Sequence, residues 1–133
     1  NCISFLEYKN VYLYKWDVRN YGQDGYNYHA ATTLKTNAME IECTGGNGGV
    51  GSSNQVSTAH DKIKILRLNG KYIINNEDVV TDINANTISL NINCDAQGSA
   101  LTGYDWECYD NATMYLLDCN ILANTRVSGA TIL

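Results

Sequence analysis

Hydrophobic and polar residues alternate with a period of two in several short segments of the chain. In residues 11–19 one face carries Tyr12, Tyr14, Trp16 and Val18, and the segments 39–43, 88–94 and 115–121 repeat the alternation. Side chains point to opposite faces along a β-strand, so each segment predicts a half-buried strand whose apolar residues, including those three aromatics, fill the core. No stretch of a dozen residues has a helical period, and the sequence therefore predicts an all-β protein.

Turn residues separate these segments about every ten residues. The pair Asn69-Gly70 lies between the strand-like runs 63–68 and 71–74, and this dipeptide favours a two-residue type I′ hairpin. Short strands joined by such turns predict an antiparallel β-sandwich or barrel, formed as a single domain over residues 1–133. The glycine- and serine-rich residues 44–57 are expected to form a flexible loop inside that domain.

Charge and length exclude some classes of partner. The chain has 133 residues and a formal net charge of −5, whereas binding to a phosphate backbone depends on clustered Lys and Arg. No apolar run approaches the ~20 residues that a membrane-spanning helix needs. We therefore expect no nucleic-acid partner and no membrane span.

The cysteines suggest an oxidising compartment. Five are dispersed along the chain without a CxxC pair, which favours disulfides over a metal site. We therefore expect disulfide bridges to stabilise the fold. The chain begins Asn1-Cys2 without a signal segment, as a processed secreted protein would, and Asn111-Ala112-Thr113 is a glycosylation sequon. These features predict an extracellular protein that is glycosylated at Asn111. Because the number of cysteines is odd, one of them is expected to be unpaired; the five are Cys2, Cys43, Cys94, Cys108 and Cys119.

Aromatic residues offer one candidate binding site. Tyr21, Tyr26 and Tyr28 lie in a glycine-containing segment beside several amide side chains. Rigid aromatic rings flanked by amides bind sugars or protein partners at a small entropy cost. We expect these tyrosines to bind a glycan or a protein, and we expect neither a cofactor nor a metal.

A second candidate site has the residue types of a small secreted ribonuclease. His29, Glu42, Arg67 and His60 could supply a base, an acid and a cation for the phosphate. The string Tyr26-Asn27-Tyr28-His29 with Glu42 is similar to the fungal guanyl-specific ribonucleases, although here His60 precedes Arg67 instead of following it. The other interpretation is that these are surface residues without a shared pocket.

Residues 94–119 resemble another family. Cys94-Asp95-Ala96-Gln97, Tyr104-Asp105-Trp106-Glu107-Cys108 and Met114 are similar to the Cys-x-Ala-Gln, Trp, Cys and Met stretch of the Alternaria major allergen family of secreted fungal proteins. The resemblance implies an all-β barrel, a Cys94–Cys108 bridge, and an unpaired cysteine that could link two protomers through Cys2. Bridges from Cys119 to Cys2 or Cys43 remain alternatives. The loop between Cys94 and Cys108 is one residue shorter than in the family, and no cysteine pair follows Cys119.

These observations together favour a secreted, fungal, effector- or toxin-like virulence protein that binds a host protein without catalysis. The two alternatives are a carbohydrate-binding lectin that uses the tyrosines and a small secreted ribonuclease.

Overall fold

The computed structural model describes residues 3–6, 9–19, 25–29, 36–46, 57–60, 62–73, 79–98, 104–121, 125–128 and 131–132. All regular structure in these residues is β-strand, which confirms the all-β prediction. The strands are β1 (Ile3–Leu6), β2 (Asn10–Tyr14), β3 (Asp17–Arg19), β4 (Tyr26–His29), β5 (Thr36–Ile41), β6 (Thr44–Gly46), β7 (Ser57–His60), β8 (Ile63–Leu68), β9 (Lys71–Ile73), β10 (Val80–Ile83), β11 (Ile88–Ile92), β12 (Asp95–Gln97), β13 (Trp106–Tyr109), β14 (Thr113–Leu117), β15 (Thr125–Ser128) and β16 (Thr131–Ile132). The described residues include no helix that could cross a membrane.

The strands form three parallel sheets that the chain visits in turn. Sheet A has the order β1-β4-β7-β10-β13-β15, sheet B the order β2-β5-β8-β11-β14-β16, and sheet C the order β3-β6-β9-β12. Every strand pairs with the strand that occupies the same place in the next coil, and all the pairs are parallel. The fold is therefore a β-solenoid, and the predicted antiparallel sandwich or barrel is wrong.

The corner between sheets B and C explains the error at Asn69-Gly70. Five consecutive coils place one residue there in the left-handed backbone region, with φ between 49° and 56°. Asn tolerates this conformation, which a type I′ hairpin also requires. The N–H of Lys71 donates a hydrogen bond to the carbonyl of Cys43 in the preceding coil, so β8 and β9 lie in different sheets and form no hairpin. The corner residues are Lys15, Glu42, Asn69, Asn93 and Asp118.

The predicted loop at 44–57 is strand at both ends. Residues Thr44–Gly46 form β6 and Ser57 begins β7, while residues 47–56 lie outside the described residues. A Cβ on Gly46 would lie 2.1 Å from the carbonyl oxygen of Ile73 in the next coil. Glycine at this position therefore allows β6 and β9 to approach each other.

Sheet B has the opposite orientation to the one predicted from its hydrophobic pattern. Its inward-facing positions include Leu13, Ile65 and Met114, but also the buried polar residues Glu40 and Arg67. Its outward-facing positions carry aromatic and aliphatic side chains. Tyr12, Tyr14 and the following Trp16 are 68%, 60% and 45% exposed, so the prediction that they fill the core is wrong.

Sheet A contributes the largest apolar residues of the core. Trp106 in β13, and Tyr26 and Tyr28 in β4, are fully buried, and Tyr72 of sheet C meets them in the interior. The interior is therefore mixed, because these aromatic rings pack beside buried polar residues that both sheet A and sheet B supply, such as Asp82 and Glu40.

Candidate functional site

The predicted tyrosine site is not at the surface. Tyr26 and Tyr28 belong to strand β4 and are fully buried. The hydroxyl of Tyr26 donates to the carbonyl of Thr44 at 2.8 Å, and the hydroxyl of Tyr28 donates to Oε1 of Glu40 at 2.6 Å. Burial raises the pKa of both hydroxyls. Both rings are core residues, and Tyr21 lies outside the described residues.

The residues of the ribonuclease alternative do not share a surface. His29 and His60 stack on the outer side of sheet A, with ring centroids 4.3 Å apart. Arg67 is fully buried inside the solenoid, where it has no access to a phosphate. Glu42 is exposed at the corner between sheets B and C, 3.4 Å from the amine of Lys15. The structure therefore brings together the two histidines but neither of their expected partners.

The four described cysteines form no disulfide with one another, and the predicted disulfides are wrong. Cys43, Cys94 and Cys119 occupy equivalent corner positions in their coils, whereas Cys108 lies in β13 of sheet A. The Cys94–Cys108 bridge implied by the allergen resemblance is therefore not formed, nor is the alternative Cys43–Cys119 bridge. Cys2, the proposed link between protomers, lies outside the described residues. Without bridges among the described cysteines, the extracellular assignment loses its main argument.

The corner thiols instead lie within 3.6 Å of backbone carbonyls. Cys43 contacts the carbonyl of Ile41 at 3.6 Å. Cys94 makes the equivalent contact to Ile92 at 3.3 Å, and Cys119 makes it to Leu117 at 3.4 Å. Cys94 and Cys119 also interact with each other. Their hydrogen bond lowers the pKa of the half-buried Cys119 thiol to about 6 and raises the pKa of Cys94.

A buried polar network lies beneath sheet B. Arg67 donates to Ser57 at 2.9 Å, to Asn91 at 3.1 Å and to Asp82 at 3.1 Å. Glu40 lies 4.0 Å from Arg67 and accepts the hydroxyl hydrogen bonds of Tyr28, Ser57 and Tyr72. Because these groups are fully buried and bond mainly to one another, their role is in the interior and not in ligand contact.

The outer side of sheet B is apolar over five strands. Strand register aligns the side chains in two neighbouring columns, one residue from each strand. Tyr12, Tyr14, Tyr115 and Leu117 are 39–68% exposed, and the other members are half-buried. We call this surface the apolar face, and it consists of Tyr12, Met39, Leu66, Leu90 and Tyr115 in one column and Tyr14, Ile41, Leu68, Ile92 and Leu117 in the other.

Lysines border the apolar face where the strands of sheet B begin. Lys9, Lys62 and Lys64 are all exposed there. A cationic border beside an apolar surface is unexpected in a chain with a net charge of −5.

A concave groove of about 280 Å³ runs along the corner between sheets B and C. Three consecutive coils contribute to it, and corner residues form one wall. Nδ2 of Asn93 donates to Oδ1 of Asn69 at 2.8 Å, which aligns the two amides along the axis. We call this site the corner groove; one wall is Asn69, Asn93 and Asp118, the other is Lys71, Asp95 and Asn120, and Gly70 and Cys94 lie between them.

The wall opposite Asn69 and Asn93 is held in place by local bonds. Nε2 of Gln97 donates to both carboxylate oxygens of Asp95, at 3.1 and 3.0 Å. The amide of Asn120 accepts from the N–H of Ala96 at 2.9 Å and donates to its carbonyl at 3.1 Å. Asn120 therefore continues the pairing pattern of sheet C with its side chain and fixes one end of the corner groove.

The sequence contains a signal for this site in the spacing of its corner residues. Lys15, Glu42, Asn69, Asn93 and Asp118 follow one another at intervals of 27, 27, 24 and 25 residues, each after an apolar residue. A repeat of this length is typical of solenoids.

The sequon residue Asn111 is exposed in the turn between β13 and β14. Among the described residues, no group of His, Cys, Asp and Glu is arranged to hold a metal ion.

Comparison of the chain with protein-family models, with curated proteins and with solved structures finds no match.

Proposed function

We propose that the protein is a non-catalytic binding protein that docks a second protein against the apolar face. The observation that carries this proposal is the alignment of ten apolar side chains, one pair from each of five strands, on the outside of the solenoid. Polar residues such as Glu40 and Arg67 occupy the inside of the same strands. The free energy falls when a partner covers an exposed apolar surface of this kind, because apolar area is removed from water.

The size of the apolar face fits the centre of a protein interface. Five strands spaced ~4.8 Å apart, with two outward positions each, give an area of about 300 Å². Patches of this size on a monomer are often functional. A stable complex buries about 800 Å² on each partner. The apolar face is therefore the centre of an interface whose rim the neighbouring polar residues provide.

The border of the apolar face indicates the chemistry of the partner. Lys9, Lys62 and Lys64 favour carboxylates beside the apolar contacts, because complementary charges speed association and fix the register of the complex. Tyrosine and methionine within the face are residue types enriched at the centres of protein interfaces. The partner is therefore a protein segment with aligned apolar side chains and with acidic residues at the end that meets these lysines.

A phage-displayed random peptide library provides the test. Panning on the wild type should enrich peptides that combine apolar and acidic residues, and Leu66→Lys should abolish their binding. Ile73→Lys is the matched control, because Ile73 is 43% exposed on sheet C, away from the apolar face. Far-UV circular dichroism would check that both variants fold. Enriched peptides that bind the wild type and Leu66→Lys equally would contradict the proposal, as would a panning that enriches no common sequence.

A further inference from the structure

The corner groove has the size and the chemistry of a small polar ligand site. It lies next to the apolar face, where the strands of sheet B end. Its volume of about 280 Å³ lies just under the usual range of small-molecule pockets. Its walls present both donors and acceptors, since the Asn69 amide and the Lys71 amine donate and the Asn93 carbonyl and the Asp118 carboxylate accept.

We infer that the corner groove binds a neutral oligosaccharide whose chain runs along the solenoid axis. Sugar hydroxyls both donate and accept, which matches amide, carboxylate and amine groups arranged on facing walls. The wall positions repeat in three consecutive coils at the ~4.8 Å spacing of parallel strands, so a ligand with repeated hydroxyls meets a hydrogen-bonding group at each step along its length.

The surroundings of the corner groove add an apolar contact. The residues directly before its first wall are Leu68, Ile92 and Leu117 of the apolar face, and Leu117 is 52% exposed. A pyranose ring has hydroxyls at its edge and C–H groups on its faces. Such a ring could lay a C–H face against these side chains while its hydroxyls reach the amides.

The charges of the lining select against anionic ligands. Asp95 and Asp118 together outweigh Lys71, so the lining has a net charge of −1. A phosphate, a sulfated sugar or a uronic acid would meet repulsion from both carboxylates. The charges therefore favour neutral over anionic sugars.

Backbone-compatible variants make the test specific. Asn69 and Asn93 have φ of 53° and 49°, a conformation that glycine adopts readily, so Asn69→Gly/Asn93→Gly removes both amides without straining the corner. Glu42→Gly is the matched control, because Glu42 has φ 51° in the same column of corner residues but does not line the corner groove.

The experiment is an array of neutral, sulfated and uronic-acid oligosaccharides of increasing length, followed by titration calorimetry with the best neutral ligand. The wild type and Glu42→Gly should bind neutral glycans equally well, with affinity that rises until the ligand spans three coils. The double variant should bind about tenfold more weakly, as expected for the loss of two hydrogen bonds. The inference is overturned if no neutral glycan binds, if only anionic glycans bind, or if the double variant retains wild-type affinity.

Discussion

Inside the solenoid, Nη2 of Arg67 donates a hydrogen bond to Oδ1 of Asp82 at 3.1 Å, and both side chains are fully buried. The two residues lie on different sheets, Arg67 on sheet B and Asp82 on sheet A. Burial alone would lower the pKa of the guanidinium, but attraction by Asp82 and Glu40 outweighs it and raises that pKa. This ion pair therefore links two sheets through the interior, and its guanidinium is protonated.

Replacing Arg67 should lower the free energy of unfolding, because two buried carboxylates then lack their cation. Arg67→Met leaves Glu40 and Asp82 without a cation in the interior, and breaking a buried pair in this way costs about 3–5 kcal/mol. Urea denaturation should show that loss in the free energy of unfolding. The triple variant Glu40→Gln/Arg67→Met/Asp82→Asn should recover part of it, because no buried charge remains. Equal stability of Arg67→Met and the wild type would contradict this account of the interior.

Two adjacent residues test the orientation of sheet B. Tyr12 is 68% exposed and Leu13 is 4% exposed. Tyr12→Ala should change the free energy of unfolding by less than about 0.5 kcal/mol, as surface substitutions usually do. Leu13→Ala should lower it by about 2–5 kcal/mol, because it leaves a cavity in the core. Thermal or urea unfolding measures both, and the reverse order would show that the apolar face points inward.

Local periodicity predicted the strands but not their orientation. The alternating segments at 11–19 and 88–94 overlap β2, β3 and β11, as expected for residues that alternate across a strand, but the single strand predicted over 11–19 is divided at Lys15 into strands of two different sheets. Their orientation is predicted by the rule that the more apolar face of a strand points to the core. That rule fails in sheet B because the polar side chains inside, such as Arg67 and Asn91, satisfy their hydrogen bonds with one another, which leaves the outer side to apolar residues.

Sheet topology and the corner groove depend on contacts between distant residues. Asn69-Gly70 is compatible with a hairpin and with a solenoid corner, since both use an Asn with positive φ. The recurrence of corner residues every 24–27 positions separates the two, because a hairpin does not require it. The amide pair of Asn69 and Asn93 follows from the parallel register, which local patterns do not encode.

Two glycines should differ in their tolerance of a methyl group. A Cβ on Gly46 would lie 2.1 Å from the backbone oxygen of Ile73, whereas a Cβ on Gly70 would lie 2.5 Å from the hydroxyl oxygen of Tyr72. Backbone atoms in a parallel sheet have less room to move than the end of a side chain. Gly70→Ala should therefore cost about 1–3 kcal/mol, the usual range for overpacking, and Gly46→Ala should cost more. Chemical denaturation of both variants measures the difference, and a smaller loss for Gly46→Ala would contradict the close approach of β6 and β9.

The thiol pair at the corner should make Cys119 reactive at neutral pH. The hydrogen bond with Cys94 lowers the pKa of Cys119 to about 6, so the nucleophilic thiolate predominates at pH 7 and disappears as the pH falls below 6. The alkylation rate with iodoacetamide, followed by peptide mass spectrometry, should rise with pH around a midpoint of about 6. Cys94→Ala removes the donor and should move that midpoint up toward ~8.5, the ordinary value for cysteine. Cys43 serves as an internal control, since burial raises its pKa and should keep it slow over the same range. Identical midpoints in the wild type and Cys94→Ala would show that the contact between the two coils does not control the thiol.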